Sequence, residues 1–414
     1  MQLFPKTANA DAKRLVWAKG LRAIGDGYVS ILLPAYLIAL GNSPFDVGVL
    51  TTATLLGSAS LTLLTGLTIS RFGHRRALLA ASALMILTGL GFATVQSFWP
   101  LLLIAFVGTL NPSSGDVSVF LPMEQSLLTR SVADNDRTDL FARYSLAGAL
   151  MGAFGTLLAA LPDRAAASLG ITFVDAVQAM FVVYALIGIC AGLVYRGISD
   201  IGRGVPRTVD PPLGPSRAIV YRMTALFSVD AFGGGFLVQT ILALWMLQAF
   251  DLPVATAATI FFWTSLCSAA SYLAAVPLAR RFGLVNTMVF THLPSSLCLI
   301  AIPFVNNLGV VIGLLMVRSL LSQMDVPTRT SYVMAVVTPP ERPAAASLTS
   351  VPRSLASAVS PVIAGYLITI SSFAWPLLIG GLLKVGYDLA LLAMFRHIRP
   401  PEEDGQAVAR PSDD

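Results

Sequence analysis

Residues 66–76 are Gly66-Leu67-Thr68-Ile69-Ser70-Arg71-Phe72-Gly73-His74-Arg75-Arg76, and they separate two apolar stretches at about 45–69 and 77–97. A short basic connection between two apolar segments of about 20 residues is typical of paired helices that cross a membrane. The same tripeptide, Arg-Phe-Gly, returns at Arg281-Phe282-Gly283, which is 210 positions further along the chain. This connection and its repetition predict how the rest of the chain is organised.

The composition is that of a membrane protein rather than a water-soluble one. Of 414 residues, 55% are hydrophobic and only 12% are Asp, Glu, Lys or Arg, whereas soluble domains carry about 25% charged residues. The mean hydropathy is +0.75. A soluble chain of this size needs a polar surface, and too few charged residues are present to form one. We therefore expect a polytopic protein with the lipid bilayer as a partner and no nucleic-acid partner, although the net charge is +5.

Twelve segments are apolar enough and long enough to cross about 30 Å of hydrocarbon as helices. The predicted spans are 15–40, 45–69, 77–97, 98–128, 138–161, 174–195, 219–248, 254–279, 284–305, 308–334, 343–369 and 373–395. The fourth of them is interrupted by Asn111-Pro112-Ser113-Ser114-Gly115-Asp116. Because Pro and Gly loosen a helix, we expect backbone groups there to be free for a ligand, an ion or water.

The two halves of the chain echo each other at a displacement of about 209 residues. Asp116-Val117 returns as Asp325-Val326, 209 positions later, and Ser43-Pro44 aligns with Leu252-Pro253 at the same displacement. Such matches indicate an internal duplication. We therefore predict an all-α membrane protein with twelve transmembrane helices in two six-helix halves related by duplication. The predicted domains are an N-terminal half 1–196, a cytoplasmic linker 197–217, a C-terminal half 218–397 and a polar cytoplasmic tail 398–414.

Basic residues of the connections lie almost entirely on one side of the predicted bundle. Five connections and both tails on that side carry Lys or Arg, whereas the opposite connections offer only Arg164. By the positive-inside rule, the basic side faces the cytoplasm. We expect a multi-pass protein of the cytoplasmic (inner) membrane with both termini in the cytoplasm, and we expect it to be a monomer.

The 66–76 connection resembles the signature loop of the major facilitator superfamily, which has a glycine, three residues, Asp, Arg, any residue, Gly and a basic pair. The resemblance implies a transporter whose two halves rock about a site between them. It also implies a loop that latches the halves in one state, formed here by Gly66, Ser70, Arg71, Gly73, Arg75 and Arg76. Ser70 stands where the family has an acid, so we expect a weaker latch. The alternative is that these arginines only set the topology.

Six acids and six bases lie well inside the predicted spans, away from the charges near their ends, and each isolated charge at a helix centre costs roughly 2.5–3.5 kcal/mol. They must face the bundle interior or a water-filled cavity, and many must pair. Candidates for binding substrate or protons are Asp26, Asp116, Glu124, Arg143, Asp230, Arg318, Asp325, Arg329 and Arg353. An acid without a permanent cationic partner can exchange protons near neutral pH. Asp26 is the first choice for that role, before Asp116 and Asp325.

A polar stripe is predicted in the tenth span. Arg318, Ser322, Asp325 and Arg329 follow one another at helical spacing, so they would share one face of the helix. Because two bases flank one acid, a further acidic partner must come from another helix or from the substrate.

Two other groups in the C-terminal half have a plainer interpretation. Lys384 and Asp388 are spaced i,i+4 in the last span, and we expect them to neutralise each other and fix helix packing. His292 stands alone in the ninth span, and we expect a packed or hydrogen-bonded residue rather than a ligand.

Motifs of ATP binding, zinc hydrolysis and serine hydrolysis are missing from the sequence, so we expect no catalytic residue, no cofactor and no metal site. We predict secondary transport of a small molecule by alternating access, with protons as the coupling ion. Export of a drug-like or toxic compound by an antiporter is preferred, because Ser357, Ser360-Pro361 and Ala364-Gly365 resemble the glycine-proline helix of proton-driven exporters. Ordinary close packing through small residues is the alternative for this pattern. Uptake of an organic anion or nutrient stays open, as does a non-transporting receptor or scaffold.

Overall fold

A computed structural model describes residues 4–5, 7–113, 118–133, 136–199, 213–338 and 341–396. Within these ranges the chain forms sixteen α-helices and one 3-10 turn at Ile302–Phe304. The helices are α1 (Ala10–Ala39), α2 (Pro44–Phe72), α3 (His74–Thr94), α4 (Phe98–Val107), α5 (Phe120–Leu128), α6 (Arg137–Leu158), α7 (Leu161–Leu169), α8 (Phe173–Arg196), α9 (Arg217–Gly235), α10 (Gln239–Ala249), α11 (Val254–Phe282), α12 (Leu284–Ala301), α13 (Leu308–Ser322), α14 (Asp325–Val336), α15 (Arg342–Ile370) and α16 (Trp375–Phe395). Most of the predicted linker and the whole predicted tail lie outside the described residues.

Eleven segments of the described chain are long and apolar enough to cross a membrane. They are Ala10–Ala39, Pro44–Gly66, His74–Thr94, Asp139–Leu169, Phe173–Arg196, Arg217–Ala249, Val254–Ala279, Leu284–Phe304, Leu308–Val336, Ala344–Ile370 and Trp375–Phe395. Eleven of the twelve predicted spans therefore have a counterpart. The fourth predicted span differs, because it consists of the short helices α4 and α5. Large apolar side chains point outward, with Trp99 76% and Leu103 65% exposed, as a surface in contact with hydrocarbon requires.

Three of the predicted spans are interrupted helices. The fourth breaks between α4 and α5, as the sequence predicted, but the breaks between α9 and α10 and between α13 and α14 were not predicted. Gly233-Gly234-Gly235 ends α9, and glycine is a poor helix former. Pro327 follows the third break, and because proline has no N–H it cannot donate to the carbonyl of Gln323. Both signals were present in the sequence.

The repeated Arg-Phe-Gly tripeptide has the same backbone role in both places. Gly73 precedes α3 with φ of 79°, and Gly283 precedes α12 with φ of 85°. Both glycines combine positive φ with ψ near 160° (154° and 163°), a conformation that essentially only glycine adopts. The repeated glycines therefore allow a tight turn between two long helices, which agrees with duplication.

The helices group into two compact units, each with its own apolar core. Unit 1 comprises Met1–Arg207, Val238–Leu266 and Pro361–Ser372, and unit 2 comprises Thr208–Leu237, Cys267–Ser360 and Phe373–Asp414. The core of unit 1 includes Leu15 and Leu78, and that of unit 2 includes Phe227 and Val289. The boundaries of these units differ from those of the predicted halves, because two segments of the C-terminal half pack within unit 1. The division into halves stays a prediction.

Small residues allow α2 and α15 to approach each other closely within unit 1. A Cβ atom on Gly48 would lie only 3.0 Å from Cα of Gly365 and would come closer still to the carbonyl oxygen of Pro361. The backbone N–H of Val362 donates to Thr52 Oγ1 at 3.0 Å. Pro361 and Gly365, which belong to the predicted exporter-like pattern, thus lie at a close helix–helix contact in this structure. Such a contact agrees with the alternative interpretation, in which the pattern reflects ordinary packing through small residues.

Candidate functional site

Unit 1 contains a buried group that we call the Arg22 cluster, made of Arg22, Phe120, Glu124, Tyr144 and Tyr195. Arg22 of α1 donates to the Glu124 carboxylate of α5, and its Nε donates to the Tyr195 hydroxyl at 3.0 Å. The hydroxyls of Tyr195 and Tyr144 both donate to Glu124, the first at 2.6 Å. The guanidinium of Arg22 lies 4.0 Å from the centre of the Phe120 ring. The candidate Glu124 is therefore held in a saturated ion pair.

Asp26 lies one turn further along α1, in a different environment. It is 6% exposed, and its carboxylate accepts a long hydrogen bond, 3.5 Å, from Asn111 Nδ2. Within the described part of the chain, no Lys, Arg or His nitrogen lies within 4.0 Å of this carboxylate. Gly27 brings α1 close to α6, since a Cβ there would lie 3.0 Å from Cα of Gly155. Asp26 is thus enclosed by close helix packing without a cation against it.

The break between α4 and α5 is stabilised by hydrogen bonds from other helices of unit 1. The carbonyl of Thr109 accepts a hydrogen bond from the Tyr184 hydroxyl at 2.9 Å. The carbonyl of Pro112 accepts from the Thr240 N–H at 3.2 Å and from its hydroxyl at 3.1 Å. Because hydrocarbon offers no water to a broken helix, such bonds are needed to satisfy its backbone. The candidate Asp116 lies outside the described residues.

Unit 2 contains a larger group of charges. We call it the Asp230 cluster, and its members are Asp230, His292, Asp325, Arg329, Lys384 and Asp388. Asp230 of α9 accepts hydrogen bonds from Arg329 of α14 at 3.0 Å and from Lys384 of α16 at 2.7 Å. Arg329 also forms an ion pair with Asp325, one turn earlier in α14, at 3.0 Å. The second acidic partner that the sequence required for Arg329 is therefore Asp230.

His292 of α12 joins Asp388 of α16 to the rest of this cluster. Its Nδ1 lies 2.9 Å and 3.0 Å from the two carboxylate oxygens of Asp388. Its Nε2 lies 3.5 Å from Lys384 Nζ and 3.8 Å from Asp230 Oδ1. The expectation that Lys384 and Asp388 neutralise each other is wrong. Each binds a partner on another helix, because the buried acids Asp230 and Asp388 would be strongly destabilising without a compensating group.

The predicted stripe of the tenth span is not one continuous face. Helix α13 ends at Ser322 and α14 begins at Asp325, so the polar positions before and after the break belong to different helices. Arg318 is partly buried in α13, and its Nε is enclosed without a hydrogen-bond partner among the described residues. The backbone carbonyl of Arg318 accepts a hydrogen bond of 3.3 Å from Ser295. The Asp230 cluster receives Asp325 and Arg329 but not Arg318.

The two other basic candidates lie outside both clusters. Arg143 forms an ion pair of 2.8 Å with Asp139, one turn earlier in α6, where the Asp139 side chain is 50% exposed. Arg353 lies partly buried in α15. Neither is a member of the Arg22 cluster or of the Asp230 cluster as we define them.

Three basic members of the clusters, Arg22, His292 and Lys384, were not among the candidates predicted from the sequence, and neither were Asp388, Phe120, Tyr144 and Tyr195. A usable signal was present for the three basic residues, because each lies deep in a predicted span, where a basic group needs an acidic partner. The pairing itself could not be read from the sequence, since the partners are 92 to 154 positions apart.

The predicted latch is described only in part. Gly66 of α2 has open space around it, and Gly73 forms the turn into α3. Arg75 is partly buried and Arg76 is exposed in the first turn of α3. The side chains of Ser70 and Arg71 lie outside the described part of the structure, so the latch stays a prediction.

Membrane-length helices, interrupted helices in both units and charges buried at membrane depth together define a polytopic membrane transporter. The sequence profile of the Major Facilitator Superfamily matches residues 15–229 and again residues 224–412. The chain therefore belongs to the Major Facilitator Superfamily, whose members are transporters and not enzymes. The predicted family is confirmed, and the two successive matches agree with the predicted duplication.

Known proteins resemble this chain over different lengths. The uncharacterized membrane protein YJR124C of Saccharomyces cerevisiae is 24% identical over 427 residues, which cover 94% of this chain and 95% of that protein. MdtD of Cronobacter sakazakii, which is named as a multidrug resistance protein, is 30% identical over 149 residues, covering 32% of this chain and 30% of MdtD. The crystal structure of the nucleoside transporter NupG has a TM-score of 0.69 at 14% identity, covering 94% of this chain and 100% of NupG.

Proposed function

We propose that this protein exports a drug-like or toxic small molecule across the cytoplasmic membrane, by alternating access and in exchange for protons. Both termini lie in the cytoplasm in this proposal, as the distribution of basic residues predicts. MdtD is named as a multidrug resistance protein, and this name supports the export of drugs. The similarity covers 32% of this chain.

The observation that carries the proposal is the Asp26 carboxylate, which accepts a hydrogen bond from Asn111 and has no Lys, Arg or His nitrogen within 4.0 Å among the described residues. The other candidate acids that the structure describes each contact a basic side chain: Glu124 contacts Arg22, Asp230 contacts Lys384 and Asp325 contacts Arg329. A carboxylate with a permanent cation beside it stays charged, whereas one without a cation can take up and release a proton as its surroundings change. Asp26 lies beside the α4–α5 break, where interrupted helices of transporters commonly form binding sites.

The test compares wild type with Asp26→Asn at matched membrane expression. The matched control is Asp139→Asn, which removes the carboxylate of an exposed pair in α6. Cells producing each protein are exposed to a panel of cationic, neutral and anionic toxic compounds, and accumulation is measured with and without a protonophore. We expect wild type and the Asp139 variant to lower the accumulation of at least one compound, and the protonophore to abolish this effect.

Asp26→Asn is expected to lose export driven by a proton gradient but to keep exchange of substrate for substrate in proteoliposomes, because the asparagine stays permanently neutral. If Asp26→Asn exports as well as Asp139→Asn, the proton site is elsewhere and the proposal fails. If no compound is exported and neutralising the buried acids changes nothing, a receptor or scaffold is the better interpretation.

Uptake of an organic anion is the second candidate, and Arg318 is the observation that favours it. Its Nε is buried without a hydrogen-bond partner within the described residues, and an unsatisfied guanidinium can bind a carboxylate or phosphate through two hydrogen bonds. Uptake of labelled organic anions should then fall strongly in Arg318→Gln but not in Arg143→Gln, whose arginine already has Asp139. Equal uptake by both variants would exclude Arg318 as the anion site.

A further inference from the structure

The Asp230 cluster has one more acid than it has permanent positive charges. Its acids are Asp230, Asp325 and Asp388, and its permanently basic members are Arg329 and Lys384. His292 is the sixth member and the only one whose ordinary protonation range lies near neutral pH. With a neutral imidazole the cluster carries a net charge of −1, and with an imidazolium it is electrically balanced. An unbalanced charge at membrane depth is costly, so the cluster has a physical reason to bind one proton.

We propose that His292 is a proton-binding site in which uptake of a proton at Nε2 exchanges its contact with Lys384 for a contact with Asp230. The use of this site in coupling rests on the proposed function, whereas proton binding itself does not. The members of this site all belong to unit 2, whereas Asp26 belongs to unit 1.

The geometry around the imidazole fixes which nitrogen takes the proton. Nδ1 faces both carboxylate oxygens of Asp388, at 2.9 Å and 3.0 Å, so Nδ1 carries the hydrogen and donates it. Nε2 is then the acceptor, and the nearest donor to it is Lys384 Nζ at 3.5 Å. A neutral His292 thus lies in a chain of hydrogen bonds that runs from Asp388 through Lys384 to Asp230.

Protonation reverses the role of Nε2. The nitrogen lone pair that faced Lys384 becomes an N–H bond, so Lys384 loses an acceptor and now faces a like charge. Asp230 Oδ1, 3.8 Å from Nε2, is the nearest acceptor for the new N–H. This distance must shorten by about 1 Å to reach the usual length of a charge-assisted hydrogen bond. Proton uptake therefore draws α12 towards α9 and pushes the Lys384 ammonium of α16 away.

The displaced lysine lies beside the glycine break of the seventh span. A Cβ atom on Gly234 would lie 3.7 Å from Lys384 Nζ, and one on Gly233 would lie 3.4 Å from Lys384 Cγ. Because these glycines have no side chains, the lysine packs directly on the backbone at the end of α9. A movement of Lys384 is transmitted to the point where α9 ends.

Among the described residues, the titratable and charged groups around His292 come from three helices. They are Lys384, Tyr387 and Asp388 of α16, Asp230 of α9, and Asp325 and Arg329 of α14, which join through Asp230. Helix α13 also packs against α12, where the backbone carbonyl of its Arg318 accepts a hydrogen bond from Ser295. The first contacts of the imidazole nitrogens are two acids and one lysine, so the proton is stabilised by the acids and opposed by the lysine. Lys384→Gln should therefore make proton binding more favourable, and Asp388→Asn less favourable.

The first experiment measures the protonation of His292 directly, without transport. The chain has three histidines, His74, His292 and His397, so the imidazole ¹⁵N resonances of purified, histidine-labelled protein can be assigned by single substitutions. His292→Asn keeps an amide donor for Asp388 but cannot bind a proton, and His74→Asn removes a buried imidazole that contacts Ser126 at 3.0 Å. We expect one set of imidazole resonances that changes with pH, disappears in His292→Asn and persists in His74→Asn. Resonances of His292 that do not change with pH while the fold is retained overturn the proposal.

The second experiment asks whether the lysine takes part. At a given pH, Lys384→Gln should raise the fraction of protonated His292 that the ¹⁵N resonances report, and Asp388→Asn should lower it. If neither variant changes the protonation of His292, its imidazole does not interact with the cluster, and the proposal fails. Amide resonances of residues away from the cluster report whether each variant keeps its fold. Lys384→Arg keeps the positive charge, so the protonation of His292 in this variant should stay close to that of wild type.

Transport assays separate this proposal from the proposed function. If His292 titrates but export does not depend on protons or on Asp26, the proton site stands and the proposed function fails. If export is coupled to protons but His292 does not titrate, the proposed function stands and the site fails. If both hold, His292→Asn should flatten the dependence of export on pH in the range where the imidazole titrates in wild type.

Discussion

Asp230 of α9 accepts a hydrogen bond of 3.0 Å from Arg329 of α14, and this ion pair has a counterpart of opposite polarity in the other unit. There the base, Arg22, is on α1 and the acid, Glu124, is on α5. Each pair links the first helix of a predicted half to the second part of its interrupted fourth helix. Both units thus compensate a buried charge between corresponding helices, although at the displacement of 209 residues Glu124 corresponds to Val333 and not to Arg329.

The Arg22–Glu124 pair should be essential for stability. Removing one partner leaves the other charge buried and uncompensated, which typically costs about 3–5 kcal/mol. We expect Arg22→Met and Glu124→Gln each to lower the melting temperature of the purified protein strongly. Arg143→Met, which breaks a partly exposed i,i+4 pair with Asp139, should change stability by less than about 1 kcal/mol. If all three variants lost similar stability, burial of the Arg22–Glu124 pair would not be the reason for its contribution.

Glu341 should stabilise the fold in a manner that depends on pH. It lies outside the spans, before α15, and hydrogen bonds from Ser216, from the Gly214 N–H and from Thr338 lower its pKa from 4.5 to about 2. Because the pKa is lower in the folded state, the stabilisation is complete above pH 4.5 and is lost as pH falls towards 2. The melting temperature of wild type should exceed that of Glu341→Gln at pH 7, and the difference should shrink by pH 3. A difference that does not change with pH would contradict this prediction.

Gly48 should not tolerate a methyl group. A Cβ there would lie 3.0 Å from Cα of Gly365, and because the neighbour is backbone, the helices must move apart. We expect Gly48→Ala to lower the free energy of unfolding by roughly 1–3 kcal/mol, as overpacking does. The control is Gly386→Ala in α16, where nothing lies within 4 Å of an added Cβ, so stability should be unchanged or raised by up to about 1 kcal/mol. Equal effects would exclude close helix approach as the reason for glycine at position 48.

Gly73 and Gly283 should be sensitive for a different reason, since their φ angles of 79° and 85° exclude most side chains. Alanine at either position should destabilise the protein by about 1–3 kcal/mol through backbone strain. Gly313→Ala in α13, where no atom lies within 4 Å of an added Cβ, provides the control in a regular helix. Thermal unfolding of the three variants checks this, and a tolerated Gly73→Ala would show that the turn can relax.

Several features of the site could be predicted from local sequence. The break after Asn111 was predicted from proline and glycine within an apolar span, and the same reasoning applied to Gly233-Gly234-Gly235 and Pro327 would have found the other two. The need for a second acid beside Arg329 also followed from the excess of bases in the tenth span. These features were accessible because they depend on residues within one or two helical turns of each other.

The partners of the buried charges were not accessible in this way. The i,i+4 spacing of Lys384 and Asp388 favours a local pair, yet Lys384 binds Asp230, 154 positions away, and Asp388 binds His292, 96 positions away. A local pair is worth only about 0.2–0.5 kcal/mol, whereas leaving a buried acid uncompensated costs several kcal/mol. The cost of the uncompensated acid therefore decides the pairing, and it depends on which helices are neighbours.

The sequence by itself determined the class of this protein, the approximate positions of eleven of its apolar segments and its internal duplication. Hydropathy determines these features because each apolar segment must satisfy its own backbone in the bilayer, whichever helices surround it. Only the tertiary structure decided that no described Lys, Arg or His nitrogen lies within 4.0 Å of the Asp26 carboxylate, and that His292 lies between Asp388, Lys384 and Asp230. Electrostatic energy depends on distances of a few ångströms between side chains, and packing of helices remote in sequence sets those distances.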